Sequence, residues 1–196
     1  MIESPVAAEL ELPPPPRGRR WVRALLVLIC ALLAAMWVYA FAFAPKSGVY
    51  FVTDKAWRTS ADRLCAGVEQ QRLALVDTSG GYISNPTHEQ MIQRADIVDR
   101  ATNLLDGMVD DLEALPLAST GDQAGKDGAR VSIFVKYYRE IIGDRRAYTA
   151  RLRAFELEPY RESLLNGGPV SNTVIDFTTG NAITHCMPPG ELGGDI

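Results

Sequence analysis

With 196 residues, the chain has room for one modest domain besides any membrane segment. It carries 24 acidic against 20 basic side chains, a formal net charge of −4, and because the N-terminal part is locally basic the remainder is the acidic part. That balance excludes the basic footprint of a nucleic-acid binder and discourages docking on an anionic surface.

Residues 1–20 read as a short cytoplasmic tail. Its PPPPRGRR stretch, Pro13–Arg20, favours polyproline II. We read it as a spacer with a basic end in preference to a ligand for an aromatic-lined groove. The predicted anchor, 21–44, contains the uncharged apolar run Ala24–Ala44. About 20 apolar residues at roughly 1.5 Å rise cross a bilayer core of about 30 Å. Arg17, Arg19, Arg20 and Arg23 precede the run and a lone Lys46 follows it, so positive charge places the N-terminus inside and the rest of the chain outside. Trp21 at the inner end and Trp37, Tyr39 and Phe43 at the outer end suit interfacial anchoring. A cleaved signal peptide is the rival reading. Its apolar core is usually shorter, and Pro45 follows the small-x-small site Ala42-Phe43-Ala44. Cys30 lies within the run after Ile29 and reads as a buried apolar residue, not a lipidation site.

Residues 45–52 form a connector, 53–187 an extracytoplasmic helical domain and 188–196 an irregular tail. Thr53 or Asp54 caps a first helix, in which Trp57, Ala61, Leu64, Val68 and Leu75 recur at helical spacing with Arg72 interrupting the stripe. It stops before Thr78–Gly81. Asn85 and Pro86 predict the cap and first position of a second helix, with Glu89 in its first turn. Met91, Ala95, Val98, Leu105, Val109 and Leu112 form its stripe; Ile92, Ala101, Leu104, Met108 and Leu115 widen it, and Pro116 ends it. Residues 118–129 are small, polar and glycine-rich, and predict a flexible connection.

The third helix is expected from about Ala129. Val131, Phe134, Val135, Tyr138, Ile141, Ile142, Tyr148, Leu152 and Phe155 supply its apolar face, and Lys136, Arg139, Arg146 and Arg153 its basic face. Pro159 should kink or restart it, and Asn166–Pro169 stop it. Thr173–Cys186 fits two short strands or one short helix from Ser171; the helix is favoured because an isolated hairpin is marginal. The expected fold is mainly α: one transmembrane helix, then an antiparallel bundle of three to four helices.

Cys65 and Cys186 both fall in the predicted outer domain, where one disulfide is the simplest use of two cysteines. Closing about 120 residues is worth on the order of 4–5 kcal/mol in the chain-entropy model. The functional alternative, a reactive thiol, lacks a Cys-x-x-Cys or a basic cluster. No P-loop, nucleophile elbow or dinucleotide turn occurs. His88 reads as an exposed helix-start residue. His185 beside Cys186 falls short of the three or four ligands of a zinc site, so no metal, cofactor or catalytic residue is assigned. Asp99, Asp106, Asp110 and Glu113 recur at helical spacing and read as a solvated outer face, in preference to a site for a cation or a basic partner. Tyr137, Tyr138, Tyr148, Phe155 and Tyr160 read as core, with a lipid-lined groove as the alternative.

The segments ADRLCAGVEQQRLAL, LEALPL and FTTGNAITHCMPPGEL resemble those of uncharacterised actinobacterial single-pass envelope proteins with a helical outer domain. That resemblance implies a pairing of the early and the near-terminal cysteine, here Cys65 and Cys186, and implies no activity. The function expected is non-enzymatic: an accessory or scaffold subunit that meets a membrane or envelope protein, with a lipid or small-ligand binding module as the alternative.

Overall fold

Helical periodicity dominates the chain, and the computed structural model, which describes residues 18–43, 48–75 and 85–190, is mainly helical. Arg17, the rest of the N-terminal tail, Pro45, the Thr78–Gly81 turn and residues 191–196 lie outside the described residues. The chain divides into two compact units, Met1–Lys46 and Ser47–Ile196.

In the first unit, helix α1 (Gly18–Val38) begins within the arginine cluster and passes into a π-helical turn at Tyr39–Phe43. The stretch Trp21–Ala42 has a mean hydropathy of 2.5 and none of it is buried, so one helix is long and apolar enough to cross a membrane. Arg23 and Cys30 are exposed on it. Trp37 stacks on Phe41 with ring centroids 5.3 Å apart.

The second unit holds helices α2 (Lys55–Leu75), α3 (His88–Ala114), α4 (Gly121–Arg153) and α5 (Val170–Asn181), followed by a single 3-10 turn, Thr184–Cys186. Asp54 caps α2, its carboxylate accepting the Trp57 N–H at 3.0 Å. The helix buries Trp57, Ala61, Cys65 and Arg72, so the arginine that interrupts the apolar pattern still faces inward. Helix α3 starts two residues later than Asn85-Pro86 suggests. Thr87 is the N-cap, in a reciprocal capping box with Gln90, and Asn85 takes a left-handed φ of 60° instead. The expected α3 stripe is buried, but Ile92 is exposed.

Helix α4 differs most from expectation. It begins at Gly121, two turns before Ala129, because Asp127 accepts from Gln123 and Arg130 along the helix and from Thr53 outside it. The two hydrogen bonds from Thr53, with those from Gln123 at i−4 and Arg130 at i+3, outweigh the low helix propensity of the glycines. It ends at Arg153, well before Pro159. The Glu156 N–H bonds to Arg151 C=O and the Phe155 N–H to Leu152 C=O, a Schellman motif with Phe155 at its left-handed position, φ 60°. Phe155 is therefore exposed, not core. Ala182 terminates α5 the same way at φ 54°. A side chain in this conformation costs about 1–2 kcal/mol relative to the right-handed form.

Asn166-Gly167, read as a stop, instead turns a minimal hairpin. Both residues have positive φ and join strands β1 (Leu164–Leu165) and β2 (Gly168–Pro169) with Leu165 opposite Gly168. Residues 173–181 are helical, as favoured, within α5.

Two buried clusters result. The larger joins α2, α3, α4 and α5 through Trp57, Leu112, Phe134, Tyr138 and Phe177, with Phe134 and Phe177 stacked at 4.4 Å. The smaller consists of Met91, Ala95, Val98, Tyr148 and Leu152, covered by Tyr160.

Candidate functional site

The described side chains converge in three places. At the first, Cys65 of α2 and Cys186 of the 3-10 turn are joined as a disulfide, Sγ–Sγ 2.04 Å, and both residues are fully buried. The His185 side chain next to it stays outside. Its backbone N–H donates to Asp62 at 3.2 Å and its Nδ1 lies 2.8 Å from Glu69, so two α2 carboxylates, one turn on either side of Cys65, hold the terminal segment. The hydrogen bond to Glu69, then the charge of Asp62, raises the His185 pKa above its ordinary value. This contact is complete below pH about 6.5 and weakens as pH rises through the raised value. Among the described residues no group of three or more His, Cys, Asp or Glu side chains is arranged to hold a metal.

At the second place, the segment that leads into α2 is strapped onto the helices. Asn181, at the end of α5, accepts the Val52 N–H at 2.7 Å and donates to Tyr50 C=O at 2.9 Å. Asp127 of α4 accepts the Thr53 N–H at 3.1 Å and the Thr53 hydroxyl at 2.7 Å. Asp54 accepts the N–H groups of Ala118 and Ser119, fixing the turn between α3 and α4. All three polar side chains are buried, and buried polar groups are tolerated only when so paired. The Trp57 N–H, joined by the Ser119 and Ala118 amides, outweighs the opposing effect of burial and holds the Asp54 carboxyl below its usual range. Burial alone would raise Asp127, but Thr53, Gln123 and Arg130 together outweigh it and leave it lowered. Neither the polar role of Asn181 nor that of Asp127 was assigned from sequence. For Asn181 the signal was a lone polar residue following the apolar face of Val174 and Phe177; Asp127, set between Gln123 and Arg130, carried none.

The third place is the expected acidic outer face, which stays in contact with solvent but is also paired with α4. Asp99 and Asp96 pair with Arg153 at 2.6 and 2.7 Å, Asp106 with Arg146 at 2.6 Å, and Asp110 and Glu113 with Arg139 at 2.9 and 2.7 Å. The acids of α3 therefore meet the basic face of α4 rung by rung, the numbers rising on one helix as they fall on the other. The signal was in the sequence: acids at 99, 106 and 113 and arginines at 139, 146 and 153 share a seven-residue step. Between two rungs, Asn103, Thr149 and Ala150 join Asp99, Arg146 and Arg153 around a surface depression of about 310 Å³.

Of the residues singled out from sequence, Cys65 and Cys186 come together. Arg23 and Trp37 sit on the apolar helix of the other unit, and Arg19 and Arg20 lie in its first turn. No protein-family model, curated protein or solved structure matches the chain.

Proposed function

We propose that the chain is a single-pass membrane protein, N-terminus cytoplasmic, whose extracytoplasmic antiparallel helical bundle serves as an accessory or scaffold subunit of a membrane or cell-envelope protein complex. One conjunction carries this reading: an apolar helix exposed along its whole described length, in the same chain as a disulfide-closed helical domain. Apolar surface on that scale is stable in lipid, not in water. The arginines before the helix favour the inside-to-outside direction, and a disulfide favours an oxidising compartment for the domain. The opposed order of the α3–α4 ion pairs supports the antiparallel arrangement. The buried acids and Asn181 spend their hydrogen bonds on the chain's own backbone, which suits a positioned body more than a reacting site.

Two measurements test the reading. With Ser132→Cys as reporter, exposed on α4, a membrane-impermeant maleimide should label intact cells, and the protein should resist carbonate extraction. Labelling only after lysis, or release by carbonate, overturns the topology. Crosslinking in cells should return the same membrane or envelope protein in independent preparations; a chain crosslinked to no protein overturns the scaffold role.

A further inference from the structure

The corner where α4 ends beside the start of α3 carries strain and exposed apolar surface together. Phe155 takes the left-handed position of the Schellman motif, where glycine or asparagine is usual, and a bulky residue there is a genuine outlier. Its ring is not drawn into the core: it lies against the exposed His88 ring, centroids 5.2 Å apart, and remains 49% exposed. Leu157, two residues on, is 63% exposed. Backbone strain that secures no burial points to use at a surface.

The charges around this corner indicate what covers it. Glu156 lies between the two apolar residues, and Glu89 adjoins His88; neither forms an ion pair among the described residues. Glu158 has only a long contact of 3.8 Å to Arg161, both well exposed. The cation nearest in sequence, Arg153, is paired with both Asp96 and Asp99, and Arg151 has its Nε and Nη2 buried, so neither offsets the outer rim. An isologous pairing of two copies through this corner would set Glu89 and Glu156 against themselves. An anionic lipid surface would be repelled.

We propose that Phe155, Leu157, His88, Glu89 and Glu156 form a docking site for a protein segment that presents an aliphatic side chain flanked by lysine or arginine. The inference rests on the scaffold reading and adds to it the surface used and the chemistry of the partner. Apolar contact with Phe155 and Leu157 supplies affinity; the carboxylates select the flanking cations and steer approach.

The test is photocrosslinking of the full chain in cells, with benzoylphenylalanine replacing Leu157 and, in a control, Gln70 on the exposed face of α2. Position 157 should crosslink to one protein, through a peptide containing an aliphatic residue next to Lys or Arg. Position 70 should give at least fivefold less. Phe155→Gly, which suits the left-handed position and so preserves folding, should lower the yield at 157 at least fivefold without lowering the thermal midpoint. Glu89→Gln with Glu156→Gln should lower it at least threefold. Crosslinks to lipid, to a second copy or to an acidic peptide overturn the inference, as does an undiminished yield in Phe155→Gly. A partner crosslinked from position 70 but not 157 overturns the docking site and leaves the scaffold role standing. No protein crosslinked from either position overturns both.

Discussion

The strapped end of the helical unit and the opposite end of its α3–α4 pair are built on different principles. At the first, four helices, a disulfide and three buried polar side chains converge on one cluster, and each element is held by at least two others. At the second, only α3 and α4 remain, with a small apolar cluster under Tyr160 and a half-exposed Phe155. One chain thus combines an over-determined end, suited to carrying load, with a thinner end, suited to adapting to a partner. Local opening free energies follow such differences in buried contact.

The largest effects should come from the two cores. Phe134→Ala removes the ring stacked on Phe177 and edge-on to Tyr138, and should cost about 3–5 kcal/mol in global unfolding by denaturant. Tyr148→Ala, in the smaller cluster, should instead accelerate amide exchange mainly in residues 91–98 and 148–152, with a smaller shift of the global midpoint. Equal global losses would erase the contrast between the ends. Next in size, replacing Cys65 and Cys186 together by Ser should cost about 2–4 kcal/mol, since the bridge closes a separation of 121 residues. Exchange should rise first at 183–187 and around Cys65, not at the α4 C-terminus.

Asp127→Ala should cost about 1–3 kcal/mol, because Thr53 loses the acceptor of both its donors. The strap also sets an acid limit. Asp54 and Asp127 have folded pKa values below their ordinary ones, so their contribution is present above pH about 3.9 and is lost as pH falls through the folded values. Thermal midpoints measured from pH 6 downward should therefore drop below pH 4. Asp127→Asn should flatten that drop; an unchanged profile would remove Asp127 from the account.

What sequence reading reached, and where it stopped, follows the same division. Apolar periodicity located the helices and the inward faces of α2 and α3, because burial of a stripe is a local, repeating signal. It misplaced the start of α4 because the glycines of 121–128 argue locally for a loop, while what holds them helical, Asp127 gripping Thr53, lies 74 residues away in sequence. It carried Phe155 into the core because the pattern continues past the point where a Schellman turn ends the helix. Asn166-Gly167 was read as punctuation, though the pair specifies a tight hairpin turn. A helix read alone shows the acids of α3 as a solvated face, which they are; that they also pair with the arginines of α4 becomes legible only when the seven-residue steps of two helices are compared.

The smallest effect gives the sharpest comparison, since the ion-pair ladder spans both ends. Its end rungs are alike: Arg139 joins Asp110 and Glu113, and Arg153 joins Asp96 and Asp99, all substantially exposed. Exposed pairs are worth about 0.2–1 kcal/mol each and weaken with salt, the Debye length falling to about 3 Å at 1 M. Arg139→Ala and Arg153→Ala should therefore shift global stability by similar small amounts. Their local consequences should differ. Around Arg139 the large cluster, the strap and the turn fixed by Asp54 hold α3 to α4 without the rung, so exchange at residues 131–138 should stay unchanged. Around Arg153 the rung supplements only the small cluster, so exchange at 91–99 and 148–153 should rise, and 1 M salt should reproduce that rise in the unmodified chain. If both variants open their ends equally, the two ends are equally dependent on charge, and the thin end owes its adaptability to something other than its smaller core.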